Sequence, residues 1–272
     1  MAVIRRAQHA LRRVAQTRTA FDNPWSVLAR TALSNVGVVR DLHFGVDGFT
    51  VVAPGRRGAV FPIYEVFAED TYRMQLLTAG LPARPRVLDI GAHVGSFSVA
   101  MAIAVPEAEI WAYEASPTTA GYLRATVEAS RLQDRVHVCA EALAASAGTV
   151  VLNDAGVGSP LNSTTKQLGT SAVTVPAVTM ADAFARCGGS VDVVKIDAEG
   201  VEYDLLLSSD VALWSSVSRV VLEYHEVDGH SPDQIVDRLG ALGLTVQAQE
   251  TMAGNPREGL IWFARSAAES GR

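Results

Sequence analysis

The sequence predicts an α/β protein of the doubly wound type, built on a mostly parallel sheet of seven strands with one antiparallel strand. Two features of the chain lead to this prediction. From residue 86 onward, short apolar runs alternate with segments of helical periodicity, which is the pattern of parallel strands joined by crossover helices. The last two apolar runs are separated only by a loop, and a connection that short requires antiparallel pairing. Hydrophobic residues occupy 49% of the 272 positions, enough to cover both faces of such a sheet.

Each strand of this sheet corresponds to a short run rich in apolar and β-branched residues. The strands are predicted over residues 86–90, 109–113, 135–139, 191–196, 218–224, 244–248 and 260–264. Pro106 ends a helix predicted over 97–105. Ser-Pro pairs, which supply an N-cap and a first-turn residue, begin helices at 116–130 and 231–242. A further helix is predicted over 201–207.

Residues 1–85 lack this alternation, and we expect them to form a cap of helices and a hairpin over the main domain, residues 86–272. Alternating apolar residues around two glycines predict a hairpin over 41–52, and helical spacing predicts one helix over 64–77. A segment rich in Val, Thr, Ser and Gly, residues 143–178, predicts hairpins and a loop.

The N-terminal segment is basic, with five arginines before the first acid, Asp22. Val3, Leu11 and Val14 could form the apolar side of a short amphipathic helix. We favour a solvated leader helix, with a docking or membrane-surface segment as the alternative.

Composition excludes several classes of function. The net charge of -6 and the sequence pI near 5.5 argue against nucleic acid as the main partner, since that binding needs clustered Lys and Arg. The sequence contains no apolar run long enough to span a bilayer, so we expect a cytoplasmic protein without a membrane partner. Cys139 and Cys187 lie far apart and form no CxxC pair, which argues against zinc or dithiol chemistry. The oligomeric state stays open, a homodimer included.

A glycine-containing turn follows the first predicted strand, in the run VLDIGAHVG (87–95). The spacing of Gly91 and Gly95 is GxxxG, unlike the GxGxxG of dinucleotide sites, where a helix dipole faces a pyrophosphate. S-adenosylmethionine has no phosphate and carries an amino acid moiety, whose ammonium group Asp89 could bind directly or through water. We therefore predict a cofactor site that includes Asp89, Gly91, Ala92 and Gly95, with an ordinary turn as the alternative.

A carboxylate ends the second predicted strand. Glu114 stands 23 residues after Gly91, where an acid can accept hydrogen bonds from both ribose hydroxyls of a nucleoside. A carboxylate at this distance from the glycine turn makes the prediction of a cofactor site more specific. We include Ala115 in the same site.

Ionisable residues also cluster at the end of a central strand, in the run DVVKIDAEGVE (192–202). Open α/β sheets place their ligands at this end of the strands. Together with the glycine turn and Glu114, this run resembles the signature of the FkbM family of methyltransferases, over about residues 64–263. The residues that match the family motifs are Asp89, Gly91, Gly95, Glu114, Asp197, Glu199, Gly200 and Glu202.

The resemblance implies a class I methyltransferase fold of the Rossmann-like type. It also implies S-adenosylmethionine as the methyl donor and O-methylation of a hydroxyl on a sugar, polyketide or peptide-type natural product. Related enzymes place groups against the adenine after the third strand, which assigns Glu141 and Ala142 to the cofactor site. Asp197 is assigned to the cofactor as well as to catalysis. His93 stands where the family more often has Asn.

His225 follows the next strand, and strand ends that share one crevice could bring it opposite Asp197. An imidazole is a suitable acceptor for a hydroxyl proton, so we expect His225 to be the base, oriented by Asp197 or Glu223. Glu202 is expected mainly to complement the dipole of its helix. A divalent metal could be held by Asp197, Glu199, Glu223 and His225, but no spacing is diagnostic and no metal is predicted.

The acceptor pocket is expected to include Tyr64, Tyr72, Glu199 and Asn162, the last from the loop 156–169. Two alternatives to O-methylation stay open, which are N- or carboxyl-methylation with the same donor, and a noncatalytic S-adenosylmethionine-binding partner of a biosynthetic complex. A nicotinamide oxidoreductase is disfavoured by the glycine spacing.

Overall fold

The computed structural model describes residues 2–56, 58–154, 171–252 and 255–266. Its helices are α1 (Ala2–Ala20), α2 (Pro24–Asn35), α3 (Phe61–Ala68), α4 (Met74–Thr78), α5 (Ser96–Ala104), α6 (Pro117–Ala129), α7 (Met180–Arg186), α8 (Glu202–Ser208) and α9 (Pro232–Ala241). Its strands are β1 (Asp41–Val46), β2 (Phe49–Pro54), β3 (Arg86–Ile90), β4 (Glu109–Tyr113), β5 (Val136–Cys139), β6 (Ala142–Leu143), β7 (Gly148–Asp154), β8 (Ser171–Val178), β9 (Val193–Ile196), β10 (Arg219–Tyr224), β11 (Leu244–Met252) and β12 (Asn255–Arg265).

Seven strands form the central sheet, in the order β11-β12-β10-β9-β3-β4-β5. β12 runs antiparallel to both of its neighbours, and the pairs from β10 to β5 are parallel. The predicted fold class is therefore confirmed. The closing hairpin is longer than the predicted runs 244–248 and 260–264. Most side chains of β11 are exposed, so its continuation lacks the apolar signal of a buried strand.

The direction of the chain changes at the middle of the sheet. From β3 it proceeds to β4 and β5, and it returns on the other side of β3 as β9 and β10. This change opens a crevice at the carboxyl ends of the central strands. At that end the register pairs Ile90 with Ile196 and Asp89 with Lys195. The turns that follow β3 and β9 therefore adjoin at the crevice.

Helices cover both faces of the sheet. Val87 belongs to a hydrophobic cluster that contains residues of α5, α6 and the N-terminal elements. The next residue, Leu88, belongs to a second cluster with residues of α7, α8 and α9. This alternation explains why the central strands are apolar almost throughout.

The predicted N-terminal hairpin forms as β1 and β2 and packs on α6. The backbone N–H of Val52 donates to Thr126 Oγ1 at 2.9 Å, and that of Thr50 donates to Ser130 Oγ at 3.0 Å. Two hydroxyls one helical turn apart thus satisfy the free edge of a two-stranded sheet, which would otherwise carry unpaired backbone groups.

Helix α1 packs on α3 through polar residues and not through Leu11 and Val14. Leu11 is 70% exposed and Val14 is 37% exposed, so these two apolar side chains face solvent. The contact is made by Thr17, which is buried and bonds the Tyr64 hydroxyl at 2.8 Å, and by Arg13, whose guanidinium lies 3.8 Å from the centre of the same ring. Because these contacts are polar and cation-π in character, they leave no hydrophobic pattern in the sequence from which they could be predicted.

The single helix predicted over 64–77 is instead two helices, α3 and α4. Asp70 and Arg73 both adopt left-handed backbone conformations, with φ of 48° and 49°, which end one helix before the other begins. The Asp70 carboxylate accepts a hydrogen bond from the Met74 N–H at 3.0 Å, so it stabilises the start of α4. The break turns Tyr72 towards the crevice.

The segment after β5 forms a small sheet, in the order β6-β8-β7, with an antiparallel pair between β7 and β8. This agrees with the predicted hairpin character of 143–178. The loop 156–169, with the predicted substrate residue Asn162, lies outside the described residues. Among the residues that the structure describes, no helix has both the length and the apolar character needed to cross a membrane.

We expect Thr126→Val to destabilise the protein by about 1–3 kcal/mol, because the buried N–H of Val52 loses its acceptor while the side-chain volume is preserved. Urea denaturation measures the change. Thr19→Val is the matched control, since Thr19 is exposed on α1, and it should change stability by less than about 0.5 kcal/mol. Equal stability of the two variants would contradict the proposed role of Thr126.

Candidate active site

A cavity of about 400 Å³ occupies the crevice. This volume falls in the range of small-molecule sites, about 300–1,000 Å³. On the β4 side its wall includes Gly91 and Glu114, and on the β10 side it includes Glu223 and His225. Tyr72, from the break between α3 and α4, also lines it.

The turn after β3 requires glycine at its first position. Gly91 has a φ of 74°, and a Cβ atom there would lie 1.7 Å from the carbonyl oxygen of Asp197. The N–H groups of Gly91 and Ala92 donate to the Tyr113 carbonyl at 3.0 and 2.8 Å. The turn therefore folds over the end of β4 while it touches the backbone that follows β9.

Glu114 is held in a fixed orientation at the end of β4. Its two carboxylate oxygens accept hydrogen bonds from the N–H of His93 at 2.9 Å and of Ser116 at 2.8 Å. His93 has a left-handed φ of 51°, a conformation that Asn tolerates well, which accounts for the Asn expected there. Burial raises the pKa of Glu114 to about 7, although the two N–H donors act in the opposite direction.

A buried lysine connects the turns after β3 and β9. Lys195 Nζ donates to the carbonyls of Ile90 at 3.1 Å and Gly91 at 2.6 Å. The same atom lies 3.4 Å from carboxylate oxygens of both Asp89 and Asp197. Burial lowers the pKa of Lys195, but the two carboxylates raise it more, so the lysine is charged. Asp89 is fully buried and also accepts a hydrogen bond from Ser98 at 2.7 Å.

The carboxylate that orients His225 is Glu202, which corrects the expectation of Asp197 or Glu223. Glu202 Oε1 lies 2.9 Å from His225 Nδ1. Glu202 is fully buried and also accepts hydrogen bonds from the N–H groups of Ala198 and Gly200, at 3.1 and 3.0 Å. One carboxylate thus shapes the loop after β9 and fixes the imidazole.

The other imidazole nitrogen faces acids. His225 Nε2 lies 3.7 Å from Glu199 and 4.0 Å from Glu223. Burial lowers the pKa of His225, but the hydrogen bond to Glu202 and the nearby carboxylates raise it to about 10. Burial and the charge of Asp197 raise the pKa of Glu223. Burial and Asp197 likewise raise the pKa of Glu65 to about 7.

The structure brings most of the predicted site residues to one cavity wall. They are Tyr72, Gly91, Ala92, Glu114, Ala115, Glu141, Ala142, Asp197, Glu199 and His225. The Tyr72 hydroxyl donates to Asp197 at 3.3 Å. Glu141 pairs with Arg186, with one N–O distance of 3.2 Å.

Three predicted residues, all within the described part of the chain, lie outside this wall. The Asp89 carboxylate is engaged by Lys195 and Ser98 beneath the turn. At Gly95 a Cβ atom would lie 2.8 Å from a Leu123 methyl carbon, so this glycine allows α5 to approach α6. Tyr64 is buried under α1.

Several wall residues were not predicted from the sequence, among them Ser96, Met252 and Glu258. Met252 and Glu258 reach the cavity because β11 and β12 extend past the predicted strands, through polar residues that carry no strand signal. Ser96 begins α5, and its buried hydroxyl has no hydrogen-bond partner among the described residues.

Comparison with known proteins gives a family match. Residues 89–244 match the family described as the methyltransferase FkbM domain. The chain is similar to methyltransferase sdnD of Sordaria araneosa, with 27% identity over 219 residues, 68% of this chain and 82% of that protein. It is also similar to the 31-O-demethyl-FK506 methyltransferase FkbM of Streptomyces tacrolimicus, with 26% identity over 235 residues, 75% of this chain and 88% of that protein.

Among solved structures, a methyltransferase FkbM from Methylobacillus flagellatus KT has a TM-score of 0.48 with 12% identity. That match covers 89% of this chain and 60% of the other.

We expect Gly91→Ala to destabilise the protein by about 3 kcal/mol or more, because the methyl group overlaps the Asp197 carbonyl and the backbone is left-handed. Thermal unfolding measures the effect. Gly121→Ala is the matched control, since Gly121 lies within α6 with open space around its Cβ position and should gain about 0.5–1 kcal/mol. Wild-type stability of Gly91→Ala would contradict the close contact of the two turns.

Proposed function

The chain belongs to the FkbM family of methyltransferases, and from this premise we propose that it transfers a methyl group from S-adenosylmethionine to a hydroxyl oxygen of a small-molecule natural product. One observation carries the proposal. A single cavity joins a side suited to a nucleoside, marked by the oriented carboxylate of Glu114, to a side where His225 and several carboxylates surround an open space.

The donor side fits S-adenosylmethionine, which supplies a methyl group activated on a sulfonium. Glu114 can accept hydrogen bonds from both ribose hydroxyls, because its two backbone donors hold the carboxylate in place. The unpartnered hydroxyl of Ser96 supports a polar ligand group at the start of α5. Glu141 and Ala142 are proposed to contact the adenine, and Gly91 allows close approach to the backbone.

The acceptor side fits a hydroxyl that must lose its proton. In the reaction the acceptor oxygen bonds to the methyl carbon, the carbon–sulfur bond breaks, and its electron pair returns to sulfur. The protein aligns the two reactants and receives the proton. We assign this role to the pair of His225 and Asp197. The pKa of His225 is about 10, so the imidazole must first release its own proton, and Asp197 is the second acceptor of the pair.

Transfer to oxygen is supported by one relative. The Streptomyces tacrolimicus protein is named as a 31-O-demethyl-FK506 methyltransferase, a name that specifies an oxygen of a small molecule. Asn162, in the loop 156–169, and Tyr72 and Glu199, on the cavity wall, are proposed to contact the acceptor.

An amine acceptor is the second candidate. Glu65, Asp197, Glu199 and Glu223 all line the cavity, and such an excess of carboxylates favours a neutral or positively charged acceptor. The same charges disfavour a carboxylate acceptor, because like charges repel.

Methyl-labelled S-adenosylmethionine, offered with matched alcohol, amine and acid acceptors, tests the proposed function. Label in an ether product is expected. Label in amine products alone would favour the second candidate. Tight binding of the donor without transfer to any acceptor would contradict an enzyme and support a noncatalytic binding partner.

We expect the affinity for S-adenosylhomocysteine to fall by about tenfold when the pH is lowered from 8 to 6. The pKa of Glu114 is about 7, and only its charged form fully accepts the ribose hydroxyls, so binding is stronger above this pH. Isothermal titration calorimetry measures the change. Glu114→Gln should bind more weakly and lose the pH dependence, while the exposed control Glu128→Gln should keep both wild-type values. A pH dependence retained in Glu114→Gln would exclude this role.

We expect His225→Ala to lower turnover by about 10²-fold or more, with affinity for S-adenosylhomocysteine changed by less than about twofold. The reason is that His225 lies on the acceptor side, away from Glu114. Single-turnover kinetics measures the loss. His43→Ala, at an exposed position of β1, should turn over as the wild type does. Unchanged turnover in His225→Ala would reject the assignment.

A further inference from the structure

We infer that Asp197, Glu223 and His225 form a binding site for one divalent metal ion on the acceptor side of the cavity. One ligand atom from each residue lies within 4.8 Å of the other two. The site itself stands on this geometry, and its consequence for catalysis rests on the proposed function.

The three residues come from the ends of two adjacent parallel strands. Asp197 directly follows β9, while Glu223 and His225 are two positions apart at the end of β10. Side chains two positions apart in an extended strand share a face, so Glu223 and His225 point the same way. The register pairs Leu222 with Ile196, which brings Asp197 beside them. These positions are set by the sheet and not by a surface loop.

The surroundings of His225 supply a second indication. Its side chain is 91% buried, and Glu202 holds Nδ1 at 2.9 Å, which leaves Nε2 directed at the acids. The nearest carboxylate oxygens, of Glu199 and Glu223, are 3.7 and 4.0 Å from Nε2, too far for hydrogen bonds. Histidines that bind metals are typically held in this way, with the second ring nitrogen on a carboxylate.

The charges at this point favour a cation. Glu65 and Glu199 also line the cavity. Of the three proposed ligands, Asp197 is the one paired with Lys195, at 3.4 Å, and that lysine is shared with Asp89 and two backbone carbonyls. Two carboxylates and one imidazole form an oxygen-rich set that suits Mg²⁺ or Mn²⁺. Three protein ligands leave coordination positions for the acceptor oxygen and water.

The metal changes how the proposed reaction loses its proton. A divalent cation held here would make a hydroxyl bound to it more acidic, so that the proton could leave to solvent as the oxygen takes the methyl group. With the ion bound, His225 and Asp197 would serve as its ligands; without it, the same pair takes the proton as proposed above.

Direct metal binding tests the inference. Protein freed of metals with EDTA is titrated with Mn²⁺, and free Mn²⁺ is followed by electron paramagnetic resonance. We expect one Mn²⁺ per chain, with affinity at least about tenfold lower in Glu223→Gln and Asp197→Asn. Glu226→Gln is the matched control, because Glu226 adjoins His225 in sequence but pairs with Arg257 at the surface, and it should bind Mn²⁺ as the wild type does.

Calorimetry with S-adenosylhomocysteine on the same samples separates this inference from the proposed function and shows that each variant is folded. S-adenosylhomocysteine binding without saturable Mn²⁺ binding would overturn the metal site alone. Wild-type Mn²⁺ affinity in both ligand variants would also overturn it. Turnover that is insensitive to EDTA and confined to amine acceptors would assign the cluster to a substrate ammonium group instead. Mn²⁺ binding without S-adenosylhomocysteine binding would reject the proposed function and leave the metal site standing.

Discussion

The arrangement of this site depends on the buried charge of Lys195. Its ammonium group binds the backbone carbonyl at the end of β3 and that of the first turn residue after it. It lies between Asp89, beneath that turn, and Asp197, at the end of β9. Asp89 is fully buried, so without the lysine its charge would be uncompensated, which is strongly unfavourable. Gly91 allows the two turns to touch, because no side chain separates them. The lysine thus connects the turn after β3 to the end of β9, both of which line the cavity.

Around this centre, acids are tolerated in the interior because the backbone supports them. Two N–H groups hold Glu114, and the loop before α8 directs its N–H groups at Glu202. Hydrogen bonds of this kind stabilise the charged form and fix the direction of each carboxylate. The result is a negatively lined cavity. The proposed donor carries a positive sulfonium and the inferred metal is a cation, so both would complement these walls.

Local patterns in the sequence predict much of this structure. The apolar runs predict the seven strands, and the short last connection predicts the one antiparallel strand. The spacing of Glu114 after Gly91 predicts that it belongs to the site. Other features depend on tertiary contacts that no local pattern encodes. Glu202 contacts His225 because the ends of β9 and β10 meet in the fold. In the sequence, its position in the first turn of a helix indicates a role in complementing the helix dipole and gives no sign of the contact. Tyr72 reaches the cavity because two left-handed residues interrupt a segment that has helical spacing. Tyr64, predicted for the substrate, is covered instead by α1, through Thr17 and an arginine that a hydrophobic pattern does not reveal.

The central claim is that a sulfonium nucleoside binds across the β3 turn with its ribose on Glu114. Isothermal titration calorimetry of the wild-type protein with S-adenosylmethionine, its demethylated product and a nicotinamide dinucleotide tests this claim most directly. We expect the first two each to bind at one site per chain and the dinucleotide not to bind. Binding of the dinucleotide, with no heat from either sulfur compound, would contradict it.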